Sequence, residues 1–386
     1  MPSVHSLAVI IGFASLAAAA SYAVLALVAV LAWNRRRAAI RALPLPPVTV
    51  LKPLCGAEPG LYANLRSFCA QRYPQYQIVF GVRDRADPAL AVVERLVAEF
   101  RSIPIDVVVN PQLHGSNYKI SNLINMIASA QHEVLIIADS DARIEPDYLS
   151  TVTAPLLDPK VGLVTSIYRD VPTPSIWSRL GAMYINEWYM PSVLIAWFFG
   201  YDGYVSGQTM CLRRDTLQAI GGLQSIANHL ADDHRLGQLV CGLGLRIAMS
   251  PYVVRAEHHE PSWDSLIRHE LRWMRTIRAL RPRSYCFLFL SFSVPLAVLG
   301  ILLGAAGSLG ATTAWALFLT TLLARLGLHF VPWLRGTRPL LADLWLVPAQ
   351  DLLMVWIWLR AWFTSRVSWR GNEFDVGAGG VMRRLS

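Results

Sequence analysis

Two carboxylates close an apolar run. In LIIADSDARIEP, residues 135–146, a stretch of strand-forming residues gives way to Asp139 and Asp141. Spacing i, i+2 puts both side chains on one face where the chain stays extended. Charges that close repel unless something positive lies between them, and hard carboxylate oxygens suit Mg²⁺ or Mn²⁺. The competing reading is a solvated turn, where aspartate is common. A second acidic group, Asp84 and Asp87, ends YQIVFGVRDRADP (76–88). HLADDHRLG (229–237) sets Asp232 and Asp233 at the head of a helical pattern. They either favour the helix N-terminus through its dipole, or one serves as general base toward an acceptor hydroxyl. GSNYKISNL (115–123) places Lys119 and Asn122 near a helix start, where an ammonium and backbone N–H groups can meet a phosphate. A plainly capped helix explains the same stretch. RHELRWMRTIRALRPR (268–283) is basic and amphipathic. Its arginines suit anionic lipid, while Arg272–Trp273 also offers a cation and an indole that could cover a diphosphate and a sugar. His258–His259–Glu260 lacks metal-site spacing and reads as loop, with a contact near the acceptor as the alternative.

The elements that must position these groups alternate. VTVLKPLCG (48–56), YQIVFGV (76–82), PIDVVVNP (104–111) and EVLIIADSD (133–141) read as strands. LYANLRSFCAQ (61–71), ALAVVERLVAEF (89–100) and KISNLINMIASA (119–130) read as helices between them. Further on come a strand over 161–170, a helix over 215–223 with a glycine C-cap, and a late strand over 243–254. Strand–helix alternation implies a parallel α/β sheet, and ligands bind beyond the carboxyl ends of such strands. Asp84/Asp87 and Asp139/Asp141 both sit there.

With 386 residues, 54% of them hydrophobic, and mean hydropathy +0.38, the chain is too apolar for an ordinary soluble enzyme. Residues 6–33 carry no charge, longer than the ~20 needed to cross a bilayer. Arg35, Arg36, Arg37 and Arg41 follow, a flank the positive-inside rule places in the cytoplasm. The run is too long, and lacks the basic head, for a cleaved signal peptide. Residues 285–307 and 311–333 read as two more membrane segments, the second carrying Arg325, which needs a partner or a polar cavity. A third stretch, 340–363, contains Asp343, Gln350, Asp351 and Arg360. A full third crossing would put Arg366, Arg370, Arg383 and Arg384 outside, so this stretch is expected to be re-entrant or interfacial. The expected organisation is an anchor over 1–34, a cytoplasmic catalytic domain over 43–283, membrane segments over 284–365, and a basic cytoplasmic tail over 366–386. WYMPSVLIAWFFGY (188–201) reads as core, with an entrance for a lipid head as the alternative. The net charge of +9 reflects juxtamembrane arginines; no nucleic-acid motif accompanies it. Five widely spaced cysteines fit a reduced compartment and show no zinc spacing. A transporter would need more crossings, and a non-catalytic scaffold would not need this set of carboxylates.

In order and spacing, D…DxD…DD…HxxRW resembles the family 2-type and family 21-type glycosyltransferases, whose pattern is D, D, D, (Q/R)xxRW on a GT-A fold. LKPLCGAEPGLYANL, YDGYVSGQTMCLRRDTL, GGL and VSWRG are similar to the ceramide glucosyltransferase group. HGSN, SPYVV, HEPS and RHELRWMRTIRA are closer to its bacterial hopanoid-biosynthesis members. The resemblance implies a GT-A domain with a mostly parallel sheet plus N- and C-terminal transmembrane helices. It implies a multi-pass enzyme of the bacterial inner membrane, with its catalytic domain facing the cytoplasm. The reaction implied is inverting transfer of N-acetylglucosamine from UDP-GlcNAc to bacteriohopanetetrol. UDP-glucose and ceramide are the alternative, and a processive polysaccharide synthase is the weaker one. Carried over by position, Asp87, with Asp84 beside it, would contact the uridine; in the mechanism so implied Lys119 would help fix the nucleotide. Asp139 and Asp141 would hold Mg²⁺ or Mn²⁺ on the diphosphate, Asp233 would be the base, and Arg272 and Trp273 match the RW pair. His269 departs from the pattern: it replaces the usual Gln or Arg, which weakens the synthase reading and leaves its own role open.

Overall fold

The computed structural model describes residues 4–36, 45–331, 341–369 and 372–385. The expected positions Arg37, Arg41 and Arg370 lie outside the described residues. By its contacts the chain forms two units: Met1–Arg36, Pro174–Gly200 and Glu260–Ser368 in one, Arg37–Thr173, Tyr201–His259 and Trp369–Ser386 in the other. This differs from the expected organisation at two places. Residues 174–200 and 260–283 group with the apolar helices, and 369–386 groups with the α/β unit instead of forming a separate tail.

In the α/β unit the strands are β1 (Val48–Pro53), β2 (Tyr76–Val82), β3 (Ile105–Val109), β4 (Val134–Ile137), β5 (Ala142–Arg143), β6 (Val161–Asp170), β7 (Met210–Arg213) and β8 (Arg246–Ala256). They join in one sheet of order β3-β2-β1-β4-β7-β6-β8-β5. β2, β3 and β4 run parallel to β1 or to its neighbour, as β6 does to β8. β7 runs antiparallel between β4 and β6. β1, β2, β4 and β6 are buried along their whole length, which is why they read as continuous apolar runs rather than alternating ones. Helices α2 (Leu61–Cys69), α3 (Ala89–Glu99) and α4 (Tyr118–Met126) link the first four strands. Then come α5 (Tyr148–Thr153), and, after the helices of the other unit, a second pair within this one, Arg214–Ala219 and Asp232–Gly242. The core beneath the sheet includes Leu51, Val79, Ile120, Leu123, Leu135, Ile137, Met210 and Leu236. Because β2, β1 and β4 are parallel neighbours, the segments after Val82, Pro53 and Ile137 emerge along one rim, at roughly 4.8 Å per strand. Strand order reverses at β1, the place where α/β sheets open a crevice. A last antiparallel pair, Asn372–Val376 with Met382–Arg384, also belongs to this unit.

In the helical unit α1 spans Val4–Asn34, 31 residues without a charge. It is long and apolar enough to cross a membrane, as is Ala311–His329. α1 buries a face of small residues, Ala19, Ala20, Ala23, Ala26 and Ala29. Such a face lets backbones approach closely: a Cβ on Gly12 would lie 2.7 Å from the carbonyl of Gly300. The stretch expected as one crossing over 285–307 is instead broken. A short helix, Pro282–Cys286, leads through a 3-10 turn at Leu288–Ser291 to the ten-residue helix Ser293–Leu302. The third stretch holds the 15-residue helix Leu346–Arg360. The other helices here are Ile176–Met183, a π-helical turn Tyr184–Tyr189, Met190–Phe198 and Trp263–Leu280.

Arg325 finds the partners its position demands. Its guanidinium donates to Glu187 at 2.6 Å and to Asp351 at 3.0 Å, while His329 Nδ1 lies 2.7 Å from the other Glu187 oxygen. All four side chains are buried. Removing one member of such a network leaves an uncompensated buried charge. Arg325→Leu is therefore expected to destabilise the helical unit by about 3–5 kcal/mol, read as a lowered melting temperature in detergent; an unchanged melting temperature would show the network to be dispensable.

Candidate active site

The site grows from the ends of β4 and β1. Asp139 follows β4, and its backbone N–H donates to the Gly207 carbonyl at 3.2 Å. Its carboxylate lies 2.7 Å from Lys119 Nζ. Lys119 stands in the first turn of α4, a helix capped by Asn117, whose Oδ1 accepts from Ile120 N at 3.1 Å. The same ammonium lies 3.1 Å from Asp232, at the head of Asp232–Gly242. Asp233 follows, and its Oδ2 accepts from Gly207 N at 3.0 Å while its Oδ1 accepts from His234 N at 2.7 Å. Gly207 thus bonds to Asp139 and Asp233 at once. A Cβ there would lie 2.6 Å from Asp139 Oδ2 and 3.1 Å from Lys119 Nζ, so this position must be glycine if the carboxylate and ammonium keep their places.

Asp141 turns the other way. Gln208 Nε2 donates to its Oδ1 at 3.0 Å, and His258 Nε2 lies 3.1 Å from its Oδ2. His258 Nδ1 reaches Asp170, at the end of β6, at 3.0 Å. Lys52 of β1, fully buried, donates to the Asp139 carbonyl and lies 3.7 Å from the centre of the Phe68 ring.

These contacts set the protonation states. Burial alone would lower the Lys119 ammonium, but Asp139 and Asp232 outweigh it and hold the group well above its ordinary value. Burial raises the Asp139 carboxyl, with Lys119 opposing. Asp233 is pushed up to about 7, by burial first and then by the charge of Asp232. Burial would also raise Asp141, yet the His258 hydrogen bond and charge carry it well below the carboxylate range. His258 is held above its ordinary value because Asp170 and Asp141 outweigh its burial. Lys52 is lowered by burial to about 7. The arrangement therefore offers an ionised carboxylate in Asp141, a charged ammonium in Lys119, and in Asp233 a carboxyl poised to accept a proton near neutrality.

Among the described residues no group of three His, Cys, Asp or Glu side chains already closes around an ion. The donor chemistry nevertheless fits a hard dication. Asp139 and Asp141 supply carboxylate oxygens at i, i+2, His258 orients the Asp141 carboxylate, and Gly207 keeps side-chain bulk away from Asp139.

The other expected residues fall as follows. Asp87 lies beyond β2, on the same rim; its carboxylate accepts from Gly56 N at 3.0 Å and Ala89 N at 2.9 Å. Asp84 is exposed and accepts from Ala86 N. Asn122 is a correction. It is buried, and its amide donates to the Gly81 carbonyl at 2.7 Å. It points at β2, into space that a Cβ on Gly81 would fill at 2.6 Å, so it ties helix to strand rather than meeting a phosphate. His269, Arg272 and Trp273 lie on Trp263–Leu280, in the helical unit. His269 Nδ1 is 2.6 Å from Glu260, and Trp273 packs edge-on to Tyr184, Tyr189 and His269. Four residues of the cluster are absent from the sequence-based expectations: Lys52, Gly207, Gln208 and Asp170. His258 lies in the loop after β8, as its sequence suggests, and from there it bridges two carboxylates. Asp170 ends a strand on the apolar-run-to-carboxylate pattern that marks Asp139, and Lys52 is a lone charge inside a run of strand formers.

The model of glycosyl transferase family 21 matches residues 12–382. Ceramide glucosyltransferase 1 of Caenorhabditis elegans is 24% identical over 353 residues, covering 88% of this chain and 73% of the relative. Ceramide glucosyltransferase 3 of the same organism is 23% identical, covering 87% and 74%. Among solved structures, a mannosyltransferase from Pyrobaculum calidifontis in complex with GDP-Man and Mn²⁺ superposes with a TM-score of 0.51 at 19% identity, covering 92% of this chain and 97% of that one. It shares the fold, the GT-A arrangement of a mostly parallel sheet. The chain is a glycosyltransferase, and it belongs to glycosyl transferase family 21.

Proposed function

We propose that this enzyme transfers a sugar from a UDP-sugar to a hydroxyl of a membrane lipid, with inversion at the anomeric carbon. The observation that carries the proposal is the cluster at the strand ends, where Lys119 lies between Asp139 and Asp232 and Gly207 links Asp139 to Asp233. Asp87 takes the uridine side of the donor, one strand out along the rim. Lys119 faces the diphosphate. Asp139 and Asp141 would hold Mg²⁺ or Mn²⁺, and the ion, when bound, would neutralise charge developing on the departing diphosphate. Asp233 takes the proton of the acceptor hydroxyl as that oxygen attacks the anomeric carbon. The bond from that carbon to the β-phosphate oxygen breaks, and UDP leaves with its electron pair. An α-linked donor then gives a β-linked product.

A lipid acceptor is supported by two helices long and apolar enough to cross a membrane and by the Arg36 guanidinium stacked on Trp197 at 4.2 Å, an arrangement suited to a membrane interface. We place the enzyme in the bacterial inner membrane with its α/β unit toward the cytoplasm. For the acceptor we favour the hopanoid polyol bacteriohopanetetrol with UDP-GlcNAc as donor, on the segments HGSN, SPYVV and RHELRWMRTIRA. The second reading, ceramide with UDP-glucose, is favoured by the two nematode relatives, both ceramide glucosyltransferases. Membranes containing the enzyme, given each labelled donor with each lipid, are expected to yield lipid-soluble label with UDP-GlcNAc and bacteriohopanetetrol. Label from UDP-glucose on ceramide alone would select the second reading, and water-soluble polymer would contradict both.

Three further outcomes follow from the assigned roles. Asp233→Asn is expected to lower turnover by ~10²–10⁴-fold while UDP binding by calorimetry persists; near-normal turnover would remove Asp233 as base. Because burial and Asp232 raise the Asp233 carboxyl to about 7, the base is lost as pH falls. Turnover should therefore decline about tenfold per unit below that value and level off above it. Asp141→Ala is expected to abolish the Mn²⁺-dependent part of UDP binding, and identical titrations with and without Mn²⁺ in the unaltered enzyme would exclude the metal role.

A further inference from the structure

The last residues of the chain return to the α/β unit and fasten the loops that carry Lys119 and Asp232. In the hairpin Asn372–Val376/Met382–Arg384, the outer edge of the second strand pairs with the loop before Asp232. Met382 N donates to the Asn228 carbonyl at 2.8 Å, and Leu230 N donates to the Gly380 carbonyl at 2.9 Å. His229 and Val381 face each other as an antiparallel bridge. The first strand holds the other side. Phe374 is fully buried, edge-on to Tyr118 at 6.2 Å, immediately before Lys119. Arg83, at the end of β2, covers the Tyr118 ring at 4.5 Å.

The two fastened segments are also tied to each other. Asn117 N donates to the Ala227 carbonyl at 2.8 Å, Asn117 Nδ2 to the His229 carbonyl at 2.8 Å, and Ser116 N to Asn228 Oδ1 at 2.9 Å. Gly115 lets them approach, since a Cβ there would lie 2.4 Å from the Ala227 carbonyl oxygen. Loop 115–117, loop 227–231 and the hairpin therefore form one hydrogen-bonded stack. Lys119 and Asp232 project from two members of it, two residues or fewer beyond the last bond.

We infer that the C-terminal hairpin is a positioning element of the active centre: by clamping residues 228–230 and Tyr118, it sets where Asp233 and Lys119 meet the substrates. A free basic tail would serve no such end. This positioning role rests on the reading of Asp233 as base, and displacement of a catalytic group by about 1 Å costs on the order of 10²-fold in rate.

The test uses the full-length protein in detergent or membranes. Met382→Pro deletes the N–H given to Asn228. It spares the hairpin's own ladder, in which Val376 and Met382 face without that donor. Met382→Leu keeps the donor. Met382→Pro is expected to lower kcat at least tenfold with KM for the UDP-sugar changed less than threefold, and to raise amide exchange at residues 229–234. Met382→Leu should restore kcat to within twofold. Phe374→Ala should act like Met382→Pro, with Phe374→Leu intermediate. Wild-type kcat in Met382→Pro would overturn the inference. So would equal losses in the Pro and Leu variants that track melting temperature alone. Asp233→Asn measured alongside separates the two ideas: if it is inactive while Met382→Pro is fully active, the hairpin inference fails and the base assignment stands.

Discussion

Lys119 sits between Asp139 and Asp232, 2.7 and 3.1 Å from their oxygens, and is largely withdrawn from water. Without that cation, carboxylates from two distant chain segments could not share the end of the sheet; like charges so close push one another to protonate or apart. The pair of contacts does more than neutralise. It fixes the head of the helix Asp232–Gly242 against the end of β4, and so decides where Asp233 points. The charge of Asp232, left beside Asp233 in a buried setting, helps carry that carboxyl to about 7, the range in which a base is half ready at physiological pH. A single ammonium thus serves the structure and tunes the chemistry.

Around it the backbone has to come close, and glycine is placed where it does. Gly207 passes between Asp139 and Asp233 and bonds to both. Gly115 lets loop 115–117 rest on loop 227–231. Asp141 pairs with His258, which it shares with Asp170, so the two carboxylates of the D-x-D triplet look to different partners. Lys52 supports the triplet from beneath through the Asp139 carbonyl. The helical unit solves its own version of the problem, with Arg325 shared between Glu187 and Asp351.

Much of this was legible in the residues. The runs VTVLKP, YQIVFGV and VLII are β-branched and apolar because their strands are buried on both faces, and they were readable for that reason. Asp139, Asp141, Asp232, Asp233 and Lys119 stood out because each opens or closes an element. What escaped depended on tertiary contact. Gly207 and Gln208 lie in the loop before Met210–Arg213, and only tertiary contact brings them to Asp139, Asp141 and Asp233. Asn122 shares a helix with Lys119, but faces Gly81, which no local pattern reports. The stretch 285–307 was apolar enough to suggest one crossing, yet Pro295 and the left-handed Gly304 bound a helix of ten residues. The final segment was read as a tail from its arginines; the alternation of Phe374 and Val376 before the glycine-rich turn was the hairpin signal that charge obscured.

The central claim is that the Lys119 charge holds the carboxylate cluster in its working state. The most direct measurement is the pH dependence of turnover in Lys119→Met beside the unaltered enzyme. With the cation gone, Asp139, Asp232 and Asp233 repel one another uncompensated, so the acid limb should move from about 7 to higher pH by roughly one unit or more. An acid limb that stays in place when Lys119 is removed would contradict the account.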